Sequence, residues 1–191
     1  MFKFKMSHPL PLRKKIVWPD RQYYFLTNSA YLHYPYFRSF EQKQLVLNFI
    51  KKLSVNCLIP IQAFSILMSH HHLMFYANQD QQVTFVKRFL KNNISREYKR
   101  RYKIPYKEFW HSTRVLLIRN EKILSSVQGY IHGNLLKHKE VASFDELYQS
   151  PFSSFKYAVG RHGLVAAKEL VFRVINTDED AGGGVDLSTL S

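Results

Sequence analysis

Apolar and polar positions recur along this chain in two rhythms, one of strands and one of helices. Gln22–Ala30 (QYYFLTNSA) is rich in aromatic and β-favouring residues and reads as a strand. Tyr31–Phe37 follows as an aromatic loop around Pro35. From Ser39 the spacing becomes helical. Leu45, Phe49, Ile50 and Leu53 form an apolar stripe, Ser39 is placed as the N-cap, and Gln42 three residues on completes a capping box. This helix should end near Val55–Asn56. Ile59–Met68 is apolar and almost uncharged, and Ser69–Tyr76 resumes the pattern after a bend, so the two read as paired strands. Gln81–Lys103 is helical, with Val83, Val86, Phe89 or Leu90, and Ile94 on one side. Tyr106–Ile118 contains a strand centred on Val115–Ile118. Asn120 caps a third helix running to about His138, with Ile123, Leu124, Val127 and Ile131 inward. A loop around Pro151 follows, and Gly163–Ile175 reads as a short terminal helix.

The order strand, helix, strand, strand, helix, strand, helix predicts an α+β fold. Its first six elements match a ferredoxin-like split βαβ sheet, with an additional C-terminal helix that carries Tyr130. Residues 1–20 read as a basic arm broken by Pro9, Pro11 and Pro19, and 21–160 as the folded domain. Residues 161–175 read as the terminal helix and 176–191 as an acidic, disordered tail.

Charge sharpens the picture. The 191 residues carry 28 Lys and Arg against 14 Asp and Glu, a formal +14 with a pI near 9.9. The last sixteen residues hold four acids and no base, which leaves +18 on the remainder. Such a balance implies a polyanionic partner, and the aromatics set among the cations favour nucleic acid over a membrane surface. The single cysteine, Cys57, excludes a disulfide framework and suits a reducing compartment. The N-terminus lacks the apolar run of a secretory signal, and no segment reaches the ~20 apolar residues that span a bilayer.

Three features can carry chemistry. In Ser69-His70-His71-His72-Leu73, strand alternation puts His70 and His72 on one face and His71 on the other. Two imidazoles on one face can hold a divalent ion; equally, such a cluster arises by chance or from hydrogen-bonded core histidines. Tyr130 and Asn134 lie at i, i+4 on the third helix, so a hydroxyl able to attack phosphorus and an oxygen ligand share a face. With twelve tyrosines in the chain, packing is the ordinary role for any one of them. Gly129 and Gly133 weaken that helix, either incidentally or by leaving it free to move. The second helix and its continuation carry Lys87, Arg88, Lys91, Arg96, Lys99, Arg100, Arg101, Lys103 and Lys107 against Glu97 and Glu108, with Tyr98, Tyr102 and Tyr106 interspersed. This pattern suits phosphate contact and base stacking.

Taken together these segments resemble the single-tyrosine HUH transposases, and within them the REP-associated tyrosine transposases. Leu67-Met68-Ser69-His70-His71-His72-Leu73-Met74 stands where the family has a Met-Pro-Asn-His-x-His-Leu-Leu type motif. Phe109-Trp110-His111 before Val115–Ile118 matches a Trp-Gln segment ahead of a strand. Tyr130-Ile131-His132-Gly133-Asn134-Leu135 matches Tyr-Ile-x-x-Asn-Pro, and Pro151-Phe152-Ser153-Ser154-Phe155 a Trp-Ser-Ser-Tyr type turn. The chain departs at Met68-Ser69, His111 and Leu135. The resemblance covers residues 20–160. It implies a metal-dependent enzyme that cleaves and rejoins single-stranded DNA next to a hairpin through a 5′-phosphotyrosine. Tyr130 is the implied nucleophile. His70, His72 and Asn134 are the implied ligands of Mg2+ or Mn2+. Lys87, Arg88, Lys91, Arg96, Lys99, Arg100, Arg101 and Lys103, with Arg13, Lys14 and Lys15 of the arm, would hold the DNA. The expected partners are single-stranded hairpin DNA, REP-like or from an element end, and optionally a second copy as a homodimer. No membrane partner is expected, and the expected setting is a bacterial cytoplasm, at the nucleoid. Two other readings share the pattern: a domesticated hairpin-binding protein without catalysis, and a ferredoxin-like RNA-processing endonuclease using histidine without metal.

Overall fold

A computed structural model describes residues 18–104 and 108–174. Four strands, β1 (Gln22–Ala30), β2 (Ile61–Ile66), β3 (His70–Ala77) and β4 (Trp110–Ile118), form one sheet in the order β2-β3-β1-β4, every neighbour antiparallel. With α1 (Phe40–Val55) and α2 (Asp80–Tyr102) as crossovers, this is the expected split βαβ arrangement. The fold continues through α3 (Glu121–Lys137), α4 (Phe144–Gln149), α5 (Phe155–His162) and α6 (Leu164–Phe172).

Local chemistry sets these bounds. Ser39 accepts from the Gln42 backbone N–H while the Gln42 side chain accepts from the Ser39 N–H, so the anticipated capping box is formed. Asn120 accepts from the Ile123 N–H at 2.8 Å and opens α3. Lys103 closes α2 in the left-handed conformation, at φ 51°.

Pleating gives the sheet two faces. Tyr24, Leu26, Leu73, Phe75 and Ile66 face α1 and α2, in a core that continues past β2 into Leu135, Leu147, Phe155, Ala167 and Val171. Phe25, Ala63, Met74 and Ile118 face α3, where Val127, Tyr130 and Ile131 cover them.

The region around Pro151, expected as a loop, holds α4 and α5. Both are too short for a helical period to stand out. The signal present was Ser143 with Glu146 three residues on, and Ser143 does cap α4 by accepting from the Glu146 N–H at 3.2 Å. The expected boundary at residue 160 falls inside α5, and the terminal helix is α6. The basic arm with Arg13, Lys14 and Lys15, the positions Tyr106 and Lys107, and the acidic tail lie outside the described residues. Among the described residues no helix is long and apolar enough to cross a membrane.

Candidate active site

The site lies where α3 crosses the face of β2 and β3. Register builds it. His72 pairs with Thr27 of β1 and Ser65 of β2, and His70 pairs with Ser29. These side chains therefore share the α3 face, and His71, one residue out of phase, points to the opposite layer. There His71 meets Asn28 (Nδ2 to Nε2, 3.0 Å) and the edge of the Trp110 ring, fully buried.

Tyr130 and His72 meet across the interface, Oη to Nε2 at 3.5 Å. The far side of the imidazole is held by Thr27, Oγ1 to Nδ1 at 2.9 Å, and its face is stacked on Phe25. With the proton on Nδ1, donated to Thr27, the Nε2 lone pair faces the tyrosine. Burial holds His72 well below the ordinary histidine range, and the neighbouring His70, His71, His138 and Lys137 reinforce the shift. It is a neutral imidazole at pH 7. Its ring lies 4.9 Å from that of His70, which is half-buried and itself 5.0 Å from His138.

Asn134 lies one turn beyond Tyr130, fully buried, and neither of its amide atoms has a hydrogen-bond partner. Ser65 Oγ, in the His72 row, is in the same condition. A buried carboxamide without partners costs roughly 1–3 kcal/mol unless something else satisfies it. Of the sequence-derived set, Tyr130, His70 and His72 thus come together between one strand and one helix, with Asn134 one turn further along that helix.

Three site residues escaped the sequence reading. Thr27 is reached only through cross-strand register, which has no local signal. Lys137, whose ammonium lies 5.4 Å from the Tyr130 ring centre, and His138 follow Tyr130 and Asn134 at helical spacing, so periodicity could have flagged them.

The surroundings are braced. The turn before His70 closes with the Leu67 N–H donating to the His70 carbonyl at 2.9 Å. It is anchored from outside by the Ala30 N–H to the Ser69 carbonyl, the Phe37 N–H to the Met68 carbonyl, and the Met68 N–H to Glu140. Glu140 also pairs with Lys43 of α1. The Ser153-Ser154 turn ties α3 to β2: Ser154 Oγ lies 3.0 Å from His132 Nδ1 and accepts from the Phe64 N–H at 2.8 Å. Burial first, then His162 and Arg161, push His132 down to about 4.

Gly129 and Gly133 have a packing role. A Cβ at Gly129 would stand 2.1 Å from the Leu170 carbonyl oxygen, and one at Gly133 would stand 2.5 Å from Val171. They let α6 close onto α3, so the helix that carries Tyr130 is held and not loosened.

The α2 cations lie elsewhere. α2 packs on the opposite layer from Tyr130, against α1. Glu97 engages Arg100 at 2.7 and 2.9 Å and Arg101 at 2.6 Å, and the bonds from these two arginines hold its carboxyl at about 2. Arg96 binds Asn93 at 2.6 Å and, with Lys52 and Arg101, lines a groove between α1 and α2. Arg88, Lys91 and Lys103 are exposed, and Lys87 and Lys99 half-exposed. Tyr98, expected among the stacking rings, is a core residue whose hydroxyl donates to the Tyr36 carbonyl; Tyr102 is 37% exposed. Among the described residues no cluster of three His, Cys, Asp or Glu is arranged to hold a metal, so an ion here would need the amide as its third donor.

No protein-family model and no curated protein matches the sequence. Solved structures do. A REP-associated tyrosine transposase bound to a REP hairpin is 20% identical, with a TM-score of 0.58, covering 81% of this chain and 88% of that one. tRNA(His) guanylyltransferase from Saccharomyces cerevisiae is 10% identical, with a TM-score of 0.50, covering 84% of this chain and 75% of that one. Likeness at these identities establishes a shared fold. Two different activities on that fold leave the site to decide the chemistry.

Proposed function

We propose that this chain is a DNA strand transferase of the single-tyrosine HUH type, which cleaves and rejoins single-stranded DNA beside a hairpin. The observation that carries the reading is Tyr130 Oη at 3.5 Å from Nε2 of the buried His72, with His70 on the same strand face. The fold likeness to a transposase bound to a hairpin supports the substrate class.

In this reading His70, His72 and Asn134 hold a divalent cation, Mg2+ or Mn2+. The unpartnered Asn134 amide fits that role, because an ion would satisfy its oxygen. Two imidazoles and one amide bring no negative charge and include two nitrogens, which favours Mn2+ over the strictly oxygen-seeking Mg2+. Once bound, the ion polarises the scissile phosphate.

The chain supplies the remainder. Tyr130, held against His72 and Phe25, attacks phosphorus in line; its oxygen takes the 5′-phosphate and the DNA 3′-oxygen departs as a hydroxyl. Lys137 keeps a positive charge over the ring that gains negative charge as its proton leaves. Attack by another 3′-hydroxyl reverses the step, joins strands and restores the phenol. Cations of α2 and of the arm hold the hairpin backbone, in a bacterial cytoplasm at the nucleoid.

The test is a labelled single-stranded hairpin incubated with the protein and Mn2+ or Mg2+, then run on a denaturing gel. A labelled protein band is expected from the parent and none from Tyr130→Phe, with hairpin affinity changed less than about two-fold because Phe keeps the packing. A band of normal yield from Tyr130→Phe, or none from the parent with either ion, overturns the reading.

A further inference from the structure

The turn that follows β1 is strained and buries nothing. Leu32 and His33 both occupy the left-handed region, at φ 51° and 52°, which side-chain-bearing residues adopt only when held there. No residue of Tyr31–His33 is buried, and Leu32 is 76% exposed. The backbone is nevertheless fixed: the Tyr31 N–H donates to the Phe109 carbonyl at 2.9 Å, Tyr34 to Tyr31 at 3.0 Å and Tyr36 to Tyr34 at 2.8 Å. Strain that core packing does not explain is characteristic of a surface shaped for a ligand.

An aromatic ladder leads out of the core to this turn. Phe109, buried, stacks on Tyr36 at 4.4 Å and 14°; Tyr36, also buried, meets Tyr34 at 4.7 Å; Tyr34 is 54% exposed. The rings of Tyr31 and His33 each approach His111 at 6.4 Å. The position is telling. Ser29 pairs with His70, so the turn begins two residues beyond the strand position opposite a site histidine. Neither 21–40 nor 109–118 contains an acid, whereas Arg38 and Arg114 are present and exposed.

We propose that Tyr31–Tyr34, with His111, is a stacking platform for an unpaired base of the DNA strand next to the scissile phosphate. The proposal rests on the strand-transferase reading for its substrate. A nucleobase is the occupant because it is a flat ring on a polyanion. Tyr34 offers a ring already supported from beneath, and the surrounding charge attracts the backbone. A hydrophobic protein partner would use Leu32 equally and would not distinguish one base from none.

Fluorescence anisotropy with three hairpins tests this: one with an unpaired flank, one with the same flank made abasic, and one blunt. The parent is expected to bind the intact flank about ten-fold more tightly than the abasic one, the effect of a single stacked base. Tyr34→Ala should lose that preference, Tyr34→Phe should keep it, and the blunt hairpin should bind all three proteins alike. The proposal is overturned if the parent does not distinguish intact from abasic flanks, if Tyr34→Ala retains the preference, or if it weakens all three hairpins equally. The covalent band is scored in parallel. A parental band beside an unchanged preference in Tyr34→Ala removes the platform and leaves the enzyme. Loss of preference with no parental band keeps a base-binding platform and removes the strand-transferase reading.

Discussion

His71 and His72 are neighbours in sequence with opposite surroundings, and their substitutions should separate accordingly. His70→Ala and His72→Ala should each abolish the covalent band while the fold survives, since half-buried His70 and the Thr27-held His72 face the site. His71→Ala should retain cleavage and lose stability by about 2 kcal/mol or more, because it empties a core position and strands Asn28. Band yield and urea midpoints read the two effects separately; a silent His72→Ala would remove His72 from the chemistry. Protonation gives a second test. His71 and His132 titrate near 6.5 when unfolded and are held at about 3 and about 4 in the fold. Between those limits the unfolded chain binds the extra protons, so stability falls as pH drops below about 6.5, by up to about 1.4 kcal/mol per unit for each imidazole. The His132 contribution should stop growing near pH 4 and that of His71 near pH 3. Urea melts of EDTA-treated protein should show the decline, and His132→Asn should remove about one proton of it while leaving pH 7.5 unaffected by titration. At this scale the sequence exposes what period two and period 3.6 expose: the histidine pair, and tyrosine with asparagine. Thr27 and the unpartnered amide were hidden, because each depends on which strand or helix arrives alongside.

Helix α3 is set by what presses on it, and its glycines report the pressure. Gly129→Ala places a methyl against the Leu170 carbonyl, so α6 must shift, costing about 1–3 kcal/mol. Gly160→Ala in α5 meets nothing within 4 Å and should stabilise by about 0.5–1 kcal/mol through helix propensity. For a chain of this length each kcal/mol moves the melting temperature by about 2–4 °C. Differential scanning calorimetry should therefore show shifts of opposite sign; a rise in both would mean that α6 does not clamp α3. The elements were largely legible because β1, α1, α2 and α3 are long, and the three helices open on caps or charges that announce them. The glycines were not, since a helix-weakening residue and a close-packing residue look alike until the partner helix is in place.

Across the whole molecule, the basic helix and the tyrosine sit on opposite sides of the sheet. A hairpin gripped by α2 would send its scissile strand around an edge to reach Tyr130. The cations of α2 also divide. Lys87 and Lys91 lie on one flank, where the Lys91 carbonyl accepts from Trp110, and Arg96 lies toward α1. Lys91 and Arg96, five residues apart, point about 140° from each other on a helix of 3.6 residues per turn. Removing Lys87 and Lys91 should flatten the log–log salt dependence of hairpin affinity by about 1.4–1.8. Removing Arg96 and Arg100 should do far less, since Glu97 already holds Arg100. The parent's slope retained in both double variants would make α2 a solvated face and shift the track to the arm. The sheet itself is finished on one margin and unfinished on the other. Beyond β2, the Ser154 N–H donates to the Phe64 carbonyl at 3.0 Å and the Ile66 N–H to the Phe152 carbonyl at 2.9 Å. Beyond β4, no described residue takes up the ladder. In the terms of polymer growth, β2 is a terminated end and β4 a live one. Among the described residues, what guards that live end is the register break opposite Ser29–Ala30 and the exposed charge of Arg114.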